Sequence, residues 1–319
     1  MYRLLILSGL FVVFVFADAR GVDSQTIAAA DQNNTIYGLQ VSVDEVSLTF
    51  HASDVHGLAV NDLKLDELSL RDNGRSPSSI LVFQSLRDIP IRAGILMDTS
   101  ESMRDFMAAN RAISIEYAQR LLRQDVDRAF VMDFGRVSKT VHPWTGDPTT
   151  LVAGIRNVRV GGENLLAGTG MFDAIFQACH SEFAKTDSAA TGNFILVFSD
   201  GEDNASHTSL NEVITVCQRA HTAIYSFRAE PKSSFFSGGG ATLAELASKT
   251  GGRVFHDHGS EADVYDDLRM IEGDLRNEYR LVYRPTALKH DGSFHRIELK
   301  APERVESLVI RSGYYAPLR

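Results

Sequence analysis

"IRAGILMDTSESMRDF", residues 91–106, is the stretch that decides the fold and raises the first question about function. It runs as an apolar strand to Met97 and then passes through Asp98, Ser100 and Ser102 into a helical pattern. Asp and Ser favour helix caps and turns because their side chains bond nearby backbone groups. A helix N-cap cluster is therefore one interpretation. A cap needs only one such residue, whereas three stand here at alternate positions, so a ligand site is the other interpretation.

The composition is that of an ordinary globular protein. The chain has 319 residues, 44% hydrophobic and 23% charged, which suits one large domain or two modest ones. Its formal net charge is −9 and no basic run occurs, which argues against nucleic acid as a partner. An acidic surface suits a cation or a protein.

The N-terminus has the pattern of a secretory signal peptide. Arg3 precedes the apolar segment "LLILSGLFVVFVFA", which ends in a small-x-small pattern at Ala17 and Ala19. We expect cleavage near Ala19, a secreted or periplasmic protein, and no membrane span after cleavage. An uncleaved anchor is the alternative, although the segment is shorter than the roughly 20 apolar residues of a spanning helix.

The chain contains two cysteines, Cys179 and Cys217, in helical patterns on either side of a strand. A disulfide is allowed in an oxidising compartment, but we favour two thiols packed as small apolar groups. Two cysteines are too few for a thiol-ligated zinc site.

Regions of strands alone flank a region in which strands alternate with helices. Period-two alternation up to residue 88 predicts antiparallel β structure, and short strands recur from Tyr279 to the C-terminus. The alternation of strands and helices between them predicts a mostly parallel sheet covered on both faces. Neither flanking region has enough strands to bury a sheet face alone, so we expect the two to pack together around an inserted domain.

The predicted fold class is therefore α/β, with a doubly wound, mostly parallel sheet inserted in a small antiparallel β-sandwich. No internal repeat or low-complexity tract is visible. The expected boundaries are a signal peptide at 1–19, a flexible segment at 20–36, sandwich parts at 37–89 and 278–319, and the α/β domain at 90–277.

Polar clusters follow strands of the α/β region at the ends where such sheets bind ligands. Besides the Asp98 loop, there is a Thr169 loop before a helix and an Asp200-Gly201 loop after the strand "FILVFS". Because ligands bind beyond the carboxyl ends of the strands, we expect the loops to meet. They supply carboxylate and hydroxyl oxygens, which hard divalent cations such as Mg²⁺ take together with water. The sequence therefore predicts a divalent-cation site.

Three further carboxylates near this site are interpreted as structural. Asp173 lies in the first turn of the helix after Thr169, where a carboxylate suits the helix dipole. Glu202 and Asp203 are expected to rim or fix their loop rather than bind a metal.

The polar clusters carry a resemblance to a known family through these residues: Asp98-x-Ser100-x-Ser102, Thr169 and Asp200-Gly201. In order and spacing, the set resembles the metal-ion-dependent adhesion site (MIDAS) of von Willebrand factor type A (VWA) domains. More narrowly, "PIRAGILMDTSESM", "GTGMFDAIF", "FSDGEDNAS" and the tail "YRLVYRP…SGYYAP" are similar to a bacterial, acidobacterial-type family of exported VWA-related proteins. The resemblance covers about Val41 to the C-terminus.

The resemblance implies a Rossmann-like fold and a role for each residue of the set. Ser100, Ser102 and Thr169 would ligate the metal directly or switch in doing so, while Asp98 and Asp200 would act chiefly through water. The cation would be Mg²⁺, with Mn²⁺ or Ca²⁺ as alternatives. Its open position would take an Asp or Glu side chain of a partner protein.

The expected function is an exported, metal-dependent protein-binding module rather than an enzyme. The sequence has no Gly-x-Ser-x-Gly elbow, His-Glu-x-x-His motif or P-loop lysine. A metal-assisted hydrolase is a weaker alternative, for which His207 is the only nearby candidate base. A metal-independent interaction scaffold, binding through the sandwich or a sheet edge, is the other alternative.

Overall fold

The computed structural model describes residues 45–161, 168–185, 191–229, 238–256 and 261–318. The signal peptide expected at 1–19 and the flexible segment expected at 20–36 lie outside the described residues. None of the helices in the described ranges is long and apolar enough to cross a membrane.

The strands and helices are numbered in chain order. The strands are β1 (Val46–Ser53), β2 (Ser69–Asp72), β3 (Ser79–Arg87), β4 (Ile91–Asp98), β5 (Arg128–Phe134), β6 (Ser138–Thr145), β7 (Gly192–Ser199), β8 (Thr222–Arg228), β9 (Val254–His256), β10 (Asn277–Arg284), β11 (Phe294–Lys300), β12 (Ser307–Ile310) and β13 (Gly313–Tyr315). The helices are α1 (Met107–Arg120), α2 (Pro148–Asn157), α3 (Met171–Gln177), α4 (Leu210–Arg219), α5 (Gly239–Thr250) and α6 (Glu261–Arg276).

The α/β part is built on a six-stranded sheet with the order β6-β5-β4-β7-β8-β9. All neighbouring strands run parallel except β6, which runs antiparallel to β5. Every residue of β7, next to the central strand β4, is buried, as expected for a strand covered on both faces. One core cluster packs α1, α2 and α6 on one face, and another packs α3, α4 and α5 on the other. The predicted α/β class with a mostly parallel sheet is confirmed.

Strands from before and after the α/β part share two antiparallel sheets, with the orders β12-β1-β10-β3 and β13-β11-β2. β1 lies between β10 and β12, and β11 pairs with β2. A core cluster joins the two sheets through Phe50 of β1, Tyr279 of β10 and Ile297 of β11. Each sheet is therefore completed by strands from both flanking regions.

The segment "ESLVIRSGYY", residues 306–315, has the pattern of a single strand among the short strands expected after Tyr279, but it forms two strands in different sheets. β12 pairs with β1, whereas β13 pairs with β11. Between them, Ser312 N donates to Ser248 O of α5 at 2.8 Å. The chain leaves one sheet there because its backbone bonds the helix instead, which the local alternation does not reveal.

Cys179 and Cys217 form a disulfide, so the preference for two free thiols is wrong. Cys179 lies in a π-helical turn, Ala178–Glu182, after α3, and Cys217 lies on α4. A π-helical turn shifts the side chains that follow it relative to a regular α-helix, and an apolar pattern does not predict that shift. In the chain-entropy account, closing a loop of sequence separation 38 stabilises the fold by about 4 kcal/mol.

A polar cleft lies where α6 passes directly into β10. Asp274 of α6 is buried there, with Oδ1 3.1 Å from His51 Nε2 and Oδ2 3.3 Å from Arg253 Nε. Glu278 of β10 lines the same cleft, and its carboxyl group makes no hydrogen bond or ion pair with the described residues. Burial, and then the charge of Asp274, raise the pKa of Glu278 to about 8.

We expect Glu278→Gln to stabilise the protein near pH 8 and to have little effect near its usual pKa of 4.5. Between these pH values the folded chain keeps a proton that the unfolded chain has released. The stabilisation from this group is therefore present below the unfolded pKa and lost as the pH rises toward the folded pKa, by up to about 1.4 kcal/mol per pH unit. Glu278→Gln has no group that titrates at this position, so its stability should not fall in this way as the pH rises.

Unfolding by urea between about pH 5 and pH 8 measures the effect. Glu298→Gln is the matched control, because Glu298 is exposed on β11, and it should keep the wild-type pH slope. Equal slopes in the wild type and Glu278→Gln would contradict the expectation.

Candidate metal centre

The polar residues after β4 do not cap helix α1. Asp98 is the last residue of β4, a 3-10 turn at Glu101–Met103 follows, and α1 begins later than the sequence pattern predicts. The N-cap of α1 is Phe106, which makes no side-chain cap bond, and Ser100 makes none at the start of the 3-10 turn. The helix-cap interpretation is therefore wrong for α1, and another role is needed for these oxygens.

A chain of hydrogen bonds joins the end of β4 to the end of β7. Asp98 is fully buried, its Oδ1 accepts from Ser100 N at 2.9 Å, and its Oδ2 accepts from Ser199 Oγ at 2.7 Å. Ser199 Oγ accepts in turn from Gly201 N at 3.0 Å. Ser100 Oγ and Ser102 Oγ lie 3.2 Å apart on the open side of this network. The Asp98 and Asp200 loops are thus held together.

The Thr169 loop is bonded to the loop that follows Asp200. Thr169 N donates to Asn204 Oδ1 at 2.8 Å, and Asn204 N donates to Thr169 O at 3.0 Å. Gly170 N donates to Gly135 O at 2.7 Å, just after the end of β5. All three polar loops therefore meet at the carboxyl edge of the sheet.

Gly201 holds the Asp200 loop against the start of α5. Its φ of +83° lies in the left-handed region, and a Cβ there would stand 2.3 Å from Gly239 O. Only glycine fits this conformation and this contact together. Next to it, Asp200 Oδ1 accepts from Glu202 N at 3.1 Å, which fixes the first turn of the loop.

Asp98 and Asp200 are buried carboxylates without a basic partner among the described residues. Burial raises the pKa of Asp98 to about 6; hydrogen bonds from Ser100 and Ser199 oppose this rise, and the charge of Asp200 adds to it. Charged groups inside proteins are normally paired or coordinate metals. The two carboxylates form an electronegative centre for which the described part of the chain supplies no counter-charge.

The donor atoms at this edge fit a hard divalent cation. Within the described ranges, no group of three or more His, Cys, Asp or Glu is placed to hold a metal ion. A cation at this edge would therefore draw on hydroxyl oxygens and water as well as the two carboxylates, which is a set that Mg²⁺ accepts. Ligation stays a prediction for Asp98, Ser100, Ser102, Thr169 and Asp200.

The neighbouring carboxylates Asp173 and Asp203 accept hydrogen bonds that hold the surrounding loops in place. Asp173 accepts from Thr208 N at 2.9 Å, and His207 Nδ1 lies 3.2 Å from its Oδ2. Burial alone would raise the pKa of Asp173, but hydrogen bonds from Thr208 and His207 outweigh it and lower the pKa to about 2. Asp203 Oδ2 accepts from Phe172 N at 2.8 Å. His207, the candidate base of the hydrolase alternative, thus lies in a structural contact.

Ser199 and Asn204, whose side chains join the loops of the site by hydrogen bonds, were not identified from the sequence. Both flank Asp200-Gly201 in the segment "FSDGEDN". The available signal was a hydroxyl and an amide within a few residues of a predicted ligand at a strand end, since such side chains commonly bond loop backbone.

The comparison with known families agrees with this geometry over part of the chain. Residues 94–202 match the family model of the von Willebrand factor type A domain. The match confirms the wider resemblance over that range and indicates a protein-interaction module. The narrower resemblance to a bacterial exported family stays a prediction. No curated protein sequence gives a significant match.

Solved structures give likenesses at low identity. The conserved hypothetical protein BatB from Bacteroides thetaiotaomicron is 16% identical with a TM-score of 0.45, over 57% of this chain and 97% of that chain. An aerotolerance-related membrane protein from Bacteroides fragilis, with multiple mutations to serine, is 17% identical with a TM-score of 0.45, over 57% and 98%. Proximal thread matrix protein 1 from the mussel byssus is 12% identical with a TM-score of 0.47, over 61% and 50%. No functional statement follows from these likenesses.

Proposed function

We propose that this protein is an exported module that binds a protein partner through a divalent cation at the edge where β4 and β7 end. The observation that carries the proposal is the pair of buried carboxylates, Asp98 and Asp200, which have no basic partner among the described residues. Two such groups side by side are unfavourable without a cation. The surrounding hydroxyls provide further oxygen donors.

The side chains of the site have different roles toward the cation, which is Mg²⁺ in this proposal, with Mn²⁺ or Ca²⁺ as alternatives. Following the resemblance, the hydroxyls of Ser100, Ser102 and Thr169 would ligate the metal directly or switch in doing so, and Asp98 and Asp200 would act chiefly through water. When bound, the cation supplies an open, electrophilic position for an Asp or Glu side chain of the partner. The hydrogen bonds of Ser199 keep the Asp98 and Asp200 loops in place for this contact. Gly201 contributes because the absence of a side chain lets its backbone pack against Gly239.

Export is supported by the disulfide between Cys179 and Cys217. Disulfides form and persist mainly in oxidising compartments such as the periplasm and the extracellular medium. This agrees with the signal-peptide pattern that ends near Ala19, and we place the working site outside the cytoplasm, in the periplasm or secreted.

A metal-independent scaffold is the second candidate, and an edge strand favours it. β3 pairs only with β10 within the described part of the chain, and its Leu81 and Val82 are 40% and 39% exposed. An exposed apolar edge strand can accept an extended peptide as a further strand. Such binding would need no cation.

Capture of partners from the matching periplasm or culture medium separates the two candidates. We expect immobilised wild type to retain a partner in Mg²⁺ and to release it in EDTA, and Asp98→Ala to retain none. Thr169→Ala should weaken partner binding far more than metal uptake, because the resemblance implies that Thr169 switches its contact with the metal when a partner binds. The other four residues of the set would still hold the cation in this variant.

The matched control is Asp105→Ala, which removes an exposed carboxylate outside the predicted ligand set and should capture like the wild type. Undiminished capture in excess EDTA would contradict the metal-dependent function and favour the scaffold. Equal partner affinity in the wild type and Thr169→Ala would remove Thr169 from the mechanism.

A further inference from the structure

Three arginines, Arg111, Arg156 and Arg159, lie on the α1 and α2 side of the candidate metal centre. Arg111 lies on α1, Arg156 in the last turn of α2, and Arg159 just beyond that helix. Arg111 Nη2 and Arg159 Nη1 both donate to the carbonyl of Val158, the second at 3.0 Å. Two guanidinium groups thus share one carbonyl oxygen. We call the three side chains the arginine patch.

The positive charge of the arginine patch is not neutralised within the described residues. None of its members forms an ion pair with an Asp or Glu of that part of the chain, although the protein as a whole has a net charge of −9. Burial, and then the charge of Arg159, lower the pKa of Arg111. Arg111 Nε is buried without a hydrogen-bond partner in the described ranges, whereas Arg156 and Arg159 are exposed.

The end of α2 accounts for only part of this arrangement. Cations at a helix C-terminus are stabilised by the helix dipole and can bond the last carbonyls, as Arg159 does with Arg156 O. The guanidinium of Arg111 on the same carbonyl adds like-charge repulsion with Arg159. Stabilisation of the helix C-terminus does not require this second cation. Positive charge that no Asp or Glu of the described ranges neutralises attracts anionic groups from outside.

The arginine patch lies at the same edge of the sheet as the candidate metal centre. Gly161 N donates to Thr99 O at 3.1 Å, which joins the segment after Arg159 to the loop of Asp98 and Ser100. Arg104, near the same edge, differs because Glu101 neutralises it, with Nε and Oε1 2.7 Å apart. This positive charge, which has no acidic partner among the described residues, therefore flanks the predicted ligand loop on the α1 and α2 side.

We propose that the arginine patch binds an acidic segment of the protein partner, next to the carboxylate that the cation takes. The inference rests on the proposed function for the position of that first carboxylate. It adds that the partner presents a run of Asp and Glu rather than one acidic residue. Arginine suits this role because its guanidinium makes two parallel bonds with a carboxylate.

Two synthetic peptides serve as probes of the arginine patch. One carries a single Glu in a neutral Gly and Ser sequence, and the other carries a run of Glu residues in a sequence of the same length. Fluorescence anisotropy with the purified protein measures both affinities in Mg²⁺ and in EDTA at low salt. We expect the acidic peptide to bind about tenfold more tightly than the single-Glu peptide in Mg²⁺, with the difference shrinking at high salt.

The double variant Arg156→Gln with Arg159→Gln should lose that difference and keep the wild-type affinity for the single-Glu peptide and for Mg²⁺. The matched control is Arg219→Gln with Arg296→Gln, which removes the same charge from exposed positions at the end of α4 and on β11. It should bind both peptides as the wild type does.

The outcomes separate the two proposals. Equal affinities of the wild type for the two peptides, or an unchanged difference in the double variant, would overturn the role of the arginine patch. If EDTA leaves acidic-peptide binding intact while the double variant loses it, the patch stands and the metal-dependent function fails. If heparin binds more tightly than the acidic peptide and the double variant loses heparin binding, the assignment to a peptide is wrong.

Discussion

Replacement of Asp127 by alanine is expected to lower the free energy of unfolding by about 3 to 5 kcal/mol. The Asp127 side chain is fully buried, and its Oδ2 lies 2.8 Å from Arg276 Nη2 and 3.3 Å from Arg123 Nε. Its Oδ1 accepts from Ile91 N at 2.8 Å. The substitution would leave a nearly buried guanidinium without this carboxylate and a backbone N–H without its acceptor, and both are costly in a core.

The position of this network explains why the effect should extend beyond one loop. Ile91 is the first residue of β4, and Arg276 is the last residue of α6, immediately before β10. Asp127 therefore ties together the two points at which the α/β part joins the antiparallel sheets. Loss of the tie should destabilise the whole fold rather than the β5 end alone.

Urea unfolding of the wild type, Asp127→Ala and Asp88→Asn measures this contribution; asparagine is used at position 88 because the backbone there is left-handed, with a φ of +52°. Asp88 is the matched control because it also pairs with Arg123 but is 80% exposed. Its replacement should change the free energy of unfolding by less than about 1 kcal/mol, as surface ion pairs do. A loss that is no larger in Asp127→Ala than in Asp88→Asn would contradict the assigned role.

The main sheet could be predicted because its signals are local. β4 and β7 are apolar runs, and the helices between the strands show their own periodicity, so neighbouring residues suffice to identify each element. The mostly parallel order then follows from the alternation of strands and helices. The same local signals failed at Arg311 and Ser312, where a bond to α5 divides one apparent strand into β12 and β13.

Contacts between distant residues were not predictable in this way. Asp127 and Arg276 are separated by 149 positions, and nothing in either local segment identifies the other. The pairing of Cys179 with Cys217 depends on a π-helical turn and on how α3 and α4 pack, so composition favoured free thiols. The arginine patch likewise depends on contact between α1 and α2. The net charge of −9 for the whole chain gives no indication of a local positive patch.

The candidate site was predictable to the extent that its residues directly follow strand ends. Asp98 and Asp200 each follow the end of a strand, and the ends of parallel strands lie at the same edge of the sheet, so the two residues were expected to lie close together. Their supporting bonds from Ser199 and Asn204 were not predictable, because the same residue types serve ordinary turns. Metal ligation itself needs a measurement.

Binding of Mn²⁺ is the most direct test of that site, and its loss is the second large effect that we expect. Mn²⁺ reports by its own electron paramagnetic resonance signal, so uptake can be followed without a partner. The wild type should bind one ion per chain with weak affinity, because hydroxyl and water oxygens supply much of the coordination. Asp98→Ala should lower the affinity on the order of a hundredfold, by loss of the carboxylate that orients the coordinated water.

Two further variants make the Mn²⁺ titration decisive. Asp98→Asn keeps the size of the buried side chain and should lose uptake like Asp98→Ala, which separates the loss of charge from a failure to fold. Asp105→Ala, which removes an exposed acid near the same loop, should bind Mn²⁺ as the wild type does. One ion per chain in the wild type and in Asp105→Ala, with uptake lost in both Asp98 variants, is the predicted result. No uptake by the wild type at millimolar Mn²⁺, or undiminished uptake by Asp98→Ala, would contradict the metal centre.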